Sequence, residues 1–203
     1  MKKILSVITI CMLLCSCSLP EDDLESFFIY SYIFEKLSGQ YRAGPSVERF
    51  WEWSGKPCYF VVAGDTYNYV STLVDVGFGV TPWNEEMKID QESAVDLLKF
   101  MIANGCDLGE PHPFTGHTPA HSSAFFTRKN YELAKYVMKN SENILWKTPS
   151  SDPHFPDATA LDIVKEIISM GENSEQRYEL VRILEERTHN NQSQAGTASP
   201  PLL

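Results

Sequence analysis

Phe27, Tyr30, Phe34 and Leu37 recur three or four residues apart, the spacing that puts side chains on one face of a helix, and Gly39 stands where such a helix stops. Ser46 suits the N-cap of a second short helix through Trp53, with Glu48 and Glu52 on its polar side. The apolar run 58–62 fits a strand or a buried connector. Helical patterning returns at 95–108, 132–138 and 178–186, interrupted by Gly105 and by a Pro- and Ser-rich stretch at 141–156. The regular elements read as helices, so the expected fold class is all-α.

From Tyr67 onward the chain repeats itself. The clearest unit opens Gly116-His117-Thr118-Pro119-Ala120-His121-Ser122-Ser123-Ala124 and continues through 132–138. A preceding segment, 95–108, ends in Asn104-Gly105-Cys106-Asp107, and a following one starts Ala158-Thr159-Ala160-Leu161-Asp162. These stretches resemble ankyrin repeats, in which a Thr-Pro opening leads into a thin inner helix and then an apolar outer helix. The resemblance covers 90–186 well, is weaker at Leu73 to Val80 and Thr81-Pro82, and is absent before Tyr67. It implies that Thr118 caps the inner helix, that Pro119 fills its first turn, where no amide donor is needed, and that His121 bonds to backbone and to the threonine hydroxyl. Thr81, Thr118 and Thr159 are 37 and 41 residues apart, against about 33 in a regular unit, so the loops carry insertions. Ala120 replaces Leu, Asp162 replaces His, and Asn140 or Ser141 stands where Gly is usual. The expectation is a short irregular ankyrin-like helical solenoid over 67–187, with 26–66 as an aromatic-rich N-terminal helical cap, because repeat arrays need their end units covered.

The N-terminus reads as targeting sequence. Lys2 and Lys3 precede an uncharged apolar run, 4–14, too short for a permanent span of about 20 residues. It ends Leu14-Cys15-Ser16-Cys17, which resembles a bacterial lipobox and implies a signal peptide at 1–16 and a lipidated Cys17, anchored by several acyl chains. Residues 17–25 then form an acidic tether. Ser18 after the modified cysteine points to the periplasmic side of the outer membrane. At the other end, 188–203 is rich in Asn, Gln, Ser, Ala and Pro with little to bury, and reads as a disordered tail.

The formal charge is −10, with 27 acidic against 17 basic side chains. Such a chain has no electrostatic reason to bind nucleic acid, whereas a protein with a basic surface would be attracted. Of five cysteines, Cys58 and Cys106 would remain beside the lipidated one, in a compartment that permits disulfides; sequence leaves their pairing open.

Catalytic chemistry finds little support. Gly-x-Ser-x-Gly and Ser-x-x-Lys are absent, Gly77-Phe78-Gly79 is isolated, and the acidic pairs Glu85-Glu86 and Glu185-Glu186 fit solvated surfaces. His112, His117 and His121 raise a metal reading, but no cysteine or carboxylate nearby completes a zinc set, and His121 already has a structural role in the repeat. No enzyme activity, cofactor or metal is expected. The positive expectation is protein recognition through loop tips: His112, Phe114 and Thr115 in one loop, with Pro111 and Pro113 beside them, and Trp146, His154 and Phe155 in the next. Phe125 and Phe126 fit a binding face or the core. The lipobox followed by degenerate repeats resembles immunity lipoproteins of type VI secretion phospholipase effectors. That resemblance implies a partner-binding protein that neutralises an incoming lipase. The alternative is a scaffold or assembly lipoprotein of an envelope complex.

Overall fold

Capping residues set where the helices begin. Ser46, Asn68, Asp90, Thr118, Asn130 and Thr159 each occupy an N-cap, satisfying amides that have no partner inside their helix. In the computed structural model, residues 21–40, 43–62, 64–80, 90–112 and 115–195 are described. Among them the chain forms α1 (Glu21–Leu37), α2 (Val47–Trp53), strands β1 (Tyr59–Val62) and β2 (Asp65–Asn68), α3 (Tyr69–Gly77), α4 (Gln91–Ala103), α5 (Pro119–Phe126), α6 (Tyr131–Asn140), α7 (Ala160–Ser169) and α8 (Glu175–Ala195). The protein is predominantly helical. None of these helices is long and apolar enough to cross a membrane. The signal segment, Cys17, Thr81-Pro82, Phe114 and 196–203 lie outside the described residues.

The helix expected from the aromatic spacing and the one expected after Ser46 are both present, and the Ser46 hydroxyl accepts from Arg49 N–H. The run 58–62 resolves as a strand. It pairs antiparallel with 65–68, Phe60 opposite Tyr67, in a hairpin with only residues 63–64 between the strands. Phe60 is buried among the rings of Tyr30, Tyr67 and Tyr69, at 4.5, 5.2 and 4.6 Å between centroids. Trp51 is buried too, with Nε1 donating to the Pro57 carbonyl and its ring edge-on to Phe100 of α4.

Beyond the hairpin the helices pack in consecutive pairs: α3 with α4, α5 with α6, α7 with α8. The first members stack in a row, α3 on α5 and α5 on α7, while α6 packs on α8. Small residues permit the close row, since Ala120, Ser123 and Ala124 of α5 and Ala160 of α7 are fully buried. Leu97, Leu98, Leu133, Val137, Ile163, Val164, Leu180 and Leu184 supply the bulk of the core between the pairs. At the end of α4, Gly105 adopts φ +103°, a conformation that costs a side-chain-bearing residue about 1 kcal/mol or more. Two arginines of α8 finish helices elsewhere in the stack. Arg177 donates to the Ala124 carbonyl in the last turn of α5, and Arg187 to the Met138 carbonyl in the last turn of α6. Both meet carbonyls that the helix ends leave unpaired.

The first pair opens at Asn68, whose side chain accepts from Val70 and Ser71 N–H, one residue into the region expected to repeat. Three details add to the sequence reading. Helix α1 begins at Glu21, inside the stretch read as tether, because nothing between Pro20 and Leu37 breaks a helix. Helix α8 continues to Ala195, through the first half of the stretch read as disordered, since no Gly or Pro interrupts it before Gly196. Glycine is not required after α6, because Ser141 closes that helix at φ −67°.

A candidate protein-binding face built from two loops and a hairpin

The connections before α5 and before α7 come together at one edge of the stack, beside the hairpin. In the first, His112 N–H donates to the His117 carbonyl and Gly116 N–H donates back to the His112 carbonyl, closing a tight turn. Gly116 sits at φ +67°, and a Cβ built on it would come within 2.7 Å of Pro149 Cγ in the second loop. Thr115, at the exposed tip, accepts from His117 N–H through its hydroxyl. Glu110 ties this loop to the hairpin by accepting from Tyr59 OH and, at 2.9 Å, from Asn68 Nδ2. That bond raises the Tyr59 phenol to about 12, helped by burial.

The second loop is held against the first by side chains. His117 Nε2 lies 2.7 Å from Asp152 Oδ2, and Asn143 Nδ2 donates to the Gly109 carbonyl. Burial alone would raise the Asp152 carboxyl; donation from Phe155 and His154 N–H and the His117 ring more than offset it, and hold it below its usual range. His121 is the central clasp. Its Nδ1 accepts from Thr118 N–H at 2.9 Å, which leaves the proton on Nε2 to donate to the Trp146 carbonyl at 3.0 Å. The ring is fully buried, and burial, then the His117 charge, push its pKa down to about 4, so it stays neutral. Asp162 repeats the capping half of this device one unit later. It accepts from Thr159 N–H and hydroxyl, which is why the histidine can be replaced there.

The expected recognition residues fall as follows. Thr115 and His154 are exposed, and Trp146 is 47% exposed with Leu145 exposed next to it. His112 is half-buried with its ring edge-on to Tyr67, and burial, then the His117 charge, lower its pKa. Phe155 is half-buried and packs edge-on to Phe125 at 5.0 Å, with its carbonyl accepting from Thr148 OH. Phe125 and Phe126 are half-buried against the core. Phe114 lies outside the described residues. The structure thus brings Thr115, Trp146 and His154 to one outward-facing edge, with His112 and Phe155 packed behind it.

No family model, curated protein or solved structure matches the chain.

Residues to which sequence reasoning gave no role in binding complete this edge. Tyr59 and Glu110 join the hairpin to it, His117 and Asp152 join the two loops, and Asp75 of α3 lies behind them. Burial raises the Asp75 carboxyl to about 6, against the opposing pull of the Ser122 hydroxyl and the His117 charge. The hairpin had one sequence signal, Ala63-Gly64 between two short β-prone runs. The His117–Asp152 pair had none, since 35 residues separate its members. Residues 105–117 and 141–158 carry five acidic side chains, Asp107, Glu110, Glu142, Asp152 and Asp157, against Lys147 as the sole lysine or arginine. Among the described residues no group of three His, Cys, Asp or Glu side chains converges as a metal set. Two shallow depressions lie away from this edge. One, of about 410 Å³, is bordered by Leu161, Glu185 and His189, and another, of about 320 Å³, by Lys99, Lys135 and Tyr136 on the outer helices.

Proposed function

We propose that the protein is a lipid-anchored, periplasmic protein-binding module with three ankyrin-like helix pairs, and that it acts as an immunity protein against a secreted phospholipase. Helices α1 and α2 with the hairpin serve as the cap of the array. The observation that carries the reading is the shared edge: two loops clasped by His121 and by His117–Asp152, presenting Trp146 and Leu145 to solvent. Large apolar side chains held on a fixed backbone lose little freedom on binding, which favours them as interface anchors. The acidic balance of the edge suits a lipase whose lipid-approaching surface is basic, and covering that surface or the cleft would stop hydrolysis. Cys17, through its acyl chains, would hold the binder at the membrane where the lipase acts, on the periplasmic side of the outer membrane.

The test is titration of a secreted phospholipase from the same genome with the purified protein. Vesicle hydrolysis should fall to background near equimolar protein, and Trp146→Asp should weaken inhibition about a hundredfold or more, the loss expected for a central aromatic anchor. Undiminished inhibition by Trp146→Asp would place the interface elsewhere, and undiminished hydrolysis at excess protein would remove the lipase reading.

A further inference from the structure

Helix α1 has two apolar sides, and only one is used by the core. Ile29, Ile33 and Leu37 are buried, whereas Phe27 and Phe28 are 46% and 41% exposed. Phe28 and Tyr32, one turn apart, share a side of the helix. The Tyr32 ring stacks on Phe50 of α2 at 3.9 Å, and Phe50 meets Trp53 at 6.1 Å. Trp53 is 82% exposed. An aromatic strip therefore runs from the first turns of α1 to the end of α2.

We propose that this strip is a lipid-contacting face, on which the anchored protein lies against the bilayer. The inference rests on Cys17 being acylated, as in the proposed function. Only residues 18–20 separate Cys17 from Glu21, and four steps of chain reach at most about 14 Å, so the start of α1 cannot leave the membrane surface. Phe27 and Phe28 follow within two helical turns. Tryptophan and tyrosine settle at headgroup depth, where a ring loses water while its polar end stays wet, and phenylalanine buries its ring just beneath them. Lys36 and Arg49 on these two helices are outnumbered by seven carboxylates, from Glu21, Asp22 and Asp23 at the start of α1 to Glu52 in α2, so the contact is apolar rather than electrostatic. It prefers zwitterionic headgroups and is insensitive to salt. Lying on this strip fixes the orientation of the stack.

The experiment uses the full chain purified from bacterial membranes and reconstituted in phosphatidylethanolamine vesicles with brominated acyl chains. Fluorescence is compared with that of Trp53→Phe, so that the difference reports Trp53 alone, and the mass of the N-terminal peptide reports acylation of Cys17. The expected result is a blue-shifted Trp53 component quenched by bromine, with the docked population about tenfold lower in Phe27→Ser/Phe28→Ser and circular dichroism unchanged. Unquenched Trp53 in acylated protein would overturn the docking face and leave the anchor intact. An unmodified Cys17 would overturn both. Trp53 buried but unquenched in a self-associated protein would assign the strip to a second copy and overturn the lipid contact.

Discussion

Replacing His121 with alanine tests the clasp on which the binding edge is built. The substitution removes an acceptor for Thr118 N–H and a donor to the Trp146 carbonyl. Thr118 is buried, so its N–H loses its partner with little access to water. Each lost bond at a buried group costs about 1–1.5 kcal/mol, and the space vacated by the ring adds to this, giving about 3–4 kcal/mol at neutral pH. The same histidine sets a pH dependence of defined sign. Its pKa drops from 6.5 to about 4 on folding, so its contribution is fully present above pH 6.5 and is lost as pH falls toward 4. The full shift corresponds to about 3 kcal/mol, most of it gone by pH 4.5. Urea denaturation followed by circular dichroism at pH 7.5 and 4.5, at one ionic strength, reads both effects. The wild type should exceed His121→Ala by about 3–4 kcal/mol at pH 7.5 and by about 1 kcal/mol at pH 4.5. His121→Asn, which can keep the cap bond but not the reach to Trp146, should fall between the two at pH 7.5. A gap of equal size at both pH values, or one below about 1 kcal/mol at pH 7.5, would refute the neutral-histidine clasp.

Three further substitutions or treatments follow from the packing. The Asp75 carboxyl rises from 3.8 to about 6 on folding, so its cost to stability builds as pH climbs from about 3.8 and is complete above about 6; Asp75→Asn should stabilise the protein by up to about 3 kcal/mol at pH 7.5 and by less than about 1 kcal/mol at pH 4, read in the same urea titrations. Cys58 and Cys106 form a disulfide across 48 residues of sequence, so the Cys58→Ser/Cys106→Ser variant should lose about 4 kcal/mol on the chain-entropy relation, measured against the oxidised wild type by urea midpoint. Arg177→Met should cost about 1–3 kcal/mol, because the Ala124 carbonyl keeps only the Thr127 hydroxyl at 3.3 Å and Glu172 keeps only Arg128, and thermal unfolding by calorimetry should show the drop.

Legibility in the sequence followed the range of the forces involved. Ser46, Thr118 and Thr159 announce their helices because capping is settled within three residues, and the structure places a helix start at each. The stacking of consecutive helix pairs was legible through Ala120, Ala124 and the apolar runs at 132–138 and 178–186, which share one local period. What was hidden depends on pairs distant in sequence. Nothing near His117 points to Asp152, nothing near Tyr59 points to Glu110, and pairing of Cys58 with Cys106 stayed open until the hairpin was seen beside the end of α4. The ends were misjudged for a different reason. Composition at 21–25 and 188–195 lacks an apolar face, yet a helix already nucleated by its neighbours extends at little cost until Pro or Gly stops it. Among the chosen recognition residues, exposure separates Trp146 and His154 from Phe155, whose aromatic character served packing on Phe125.

Hydrogen–deuterium exchange of the protein with and without the proposed phospholipase partner tests the central claim most directly. Binding through the shared edge should slow exchange at 107–117 and 141–158 and leave the outer helices α4 and α6 unchanged. Protection confined to α4 and α6, with both loops exchanging as in the free protein, would contradict it.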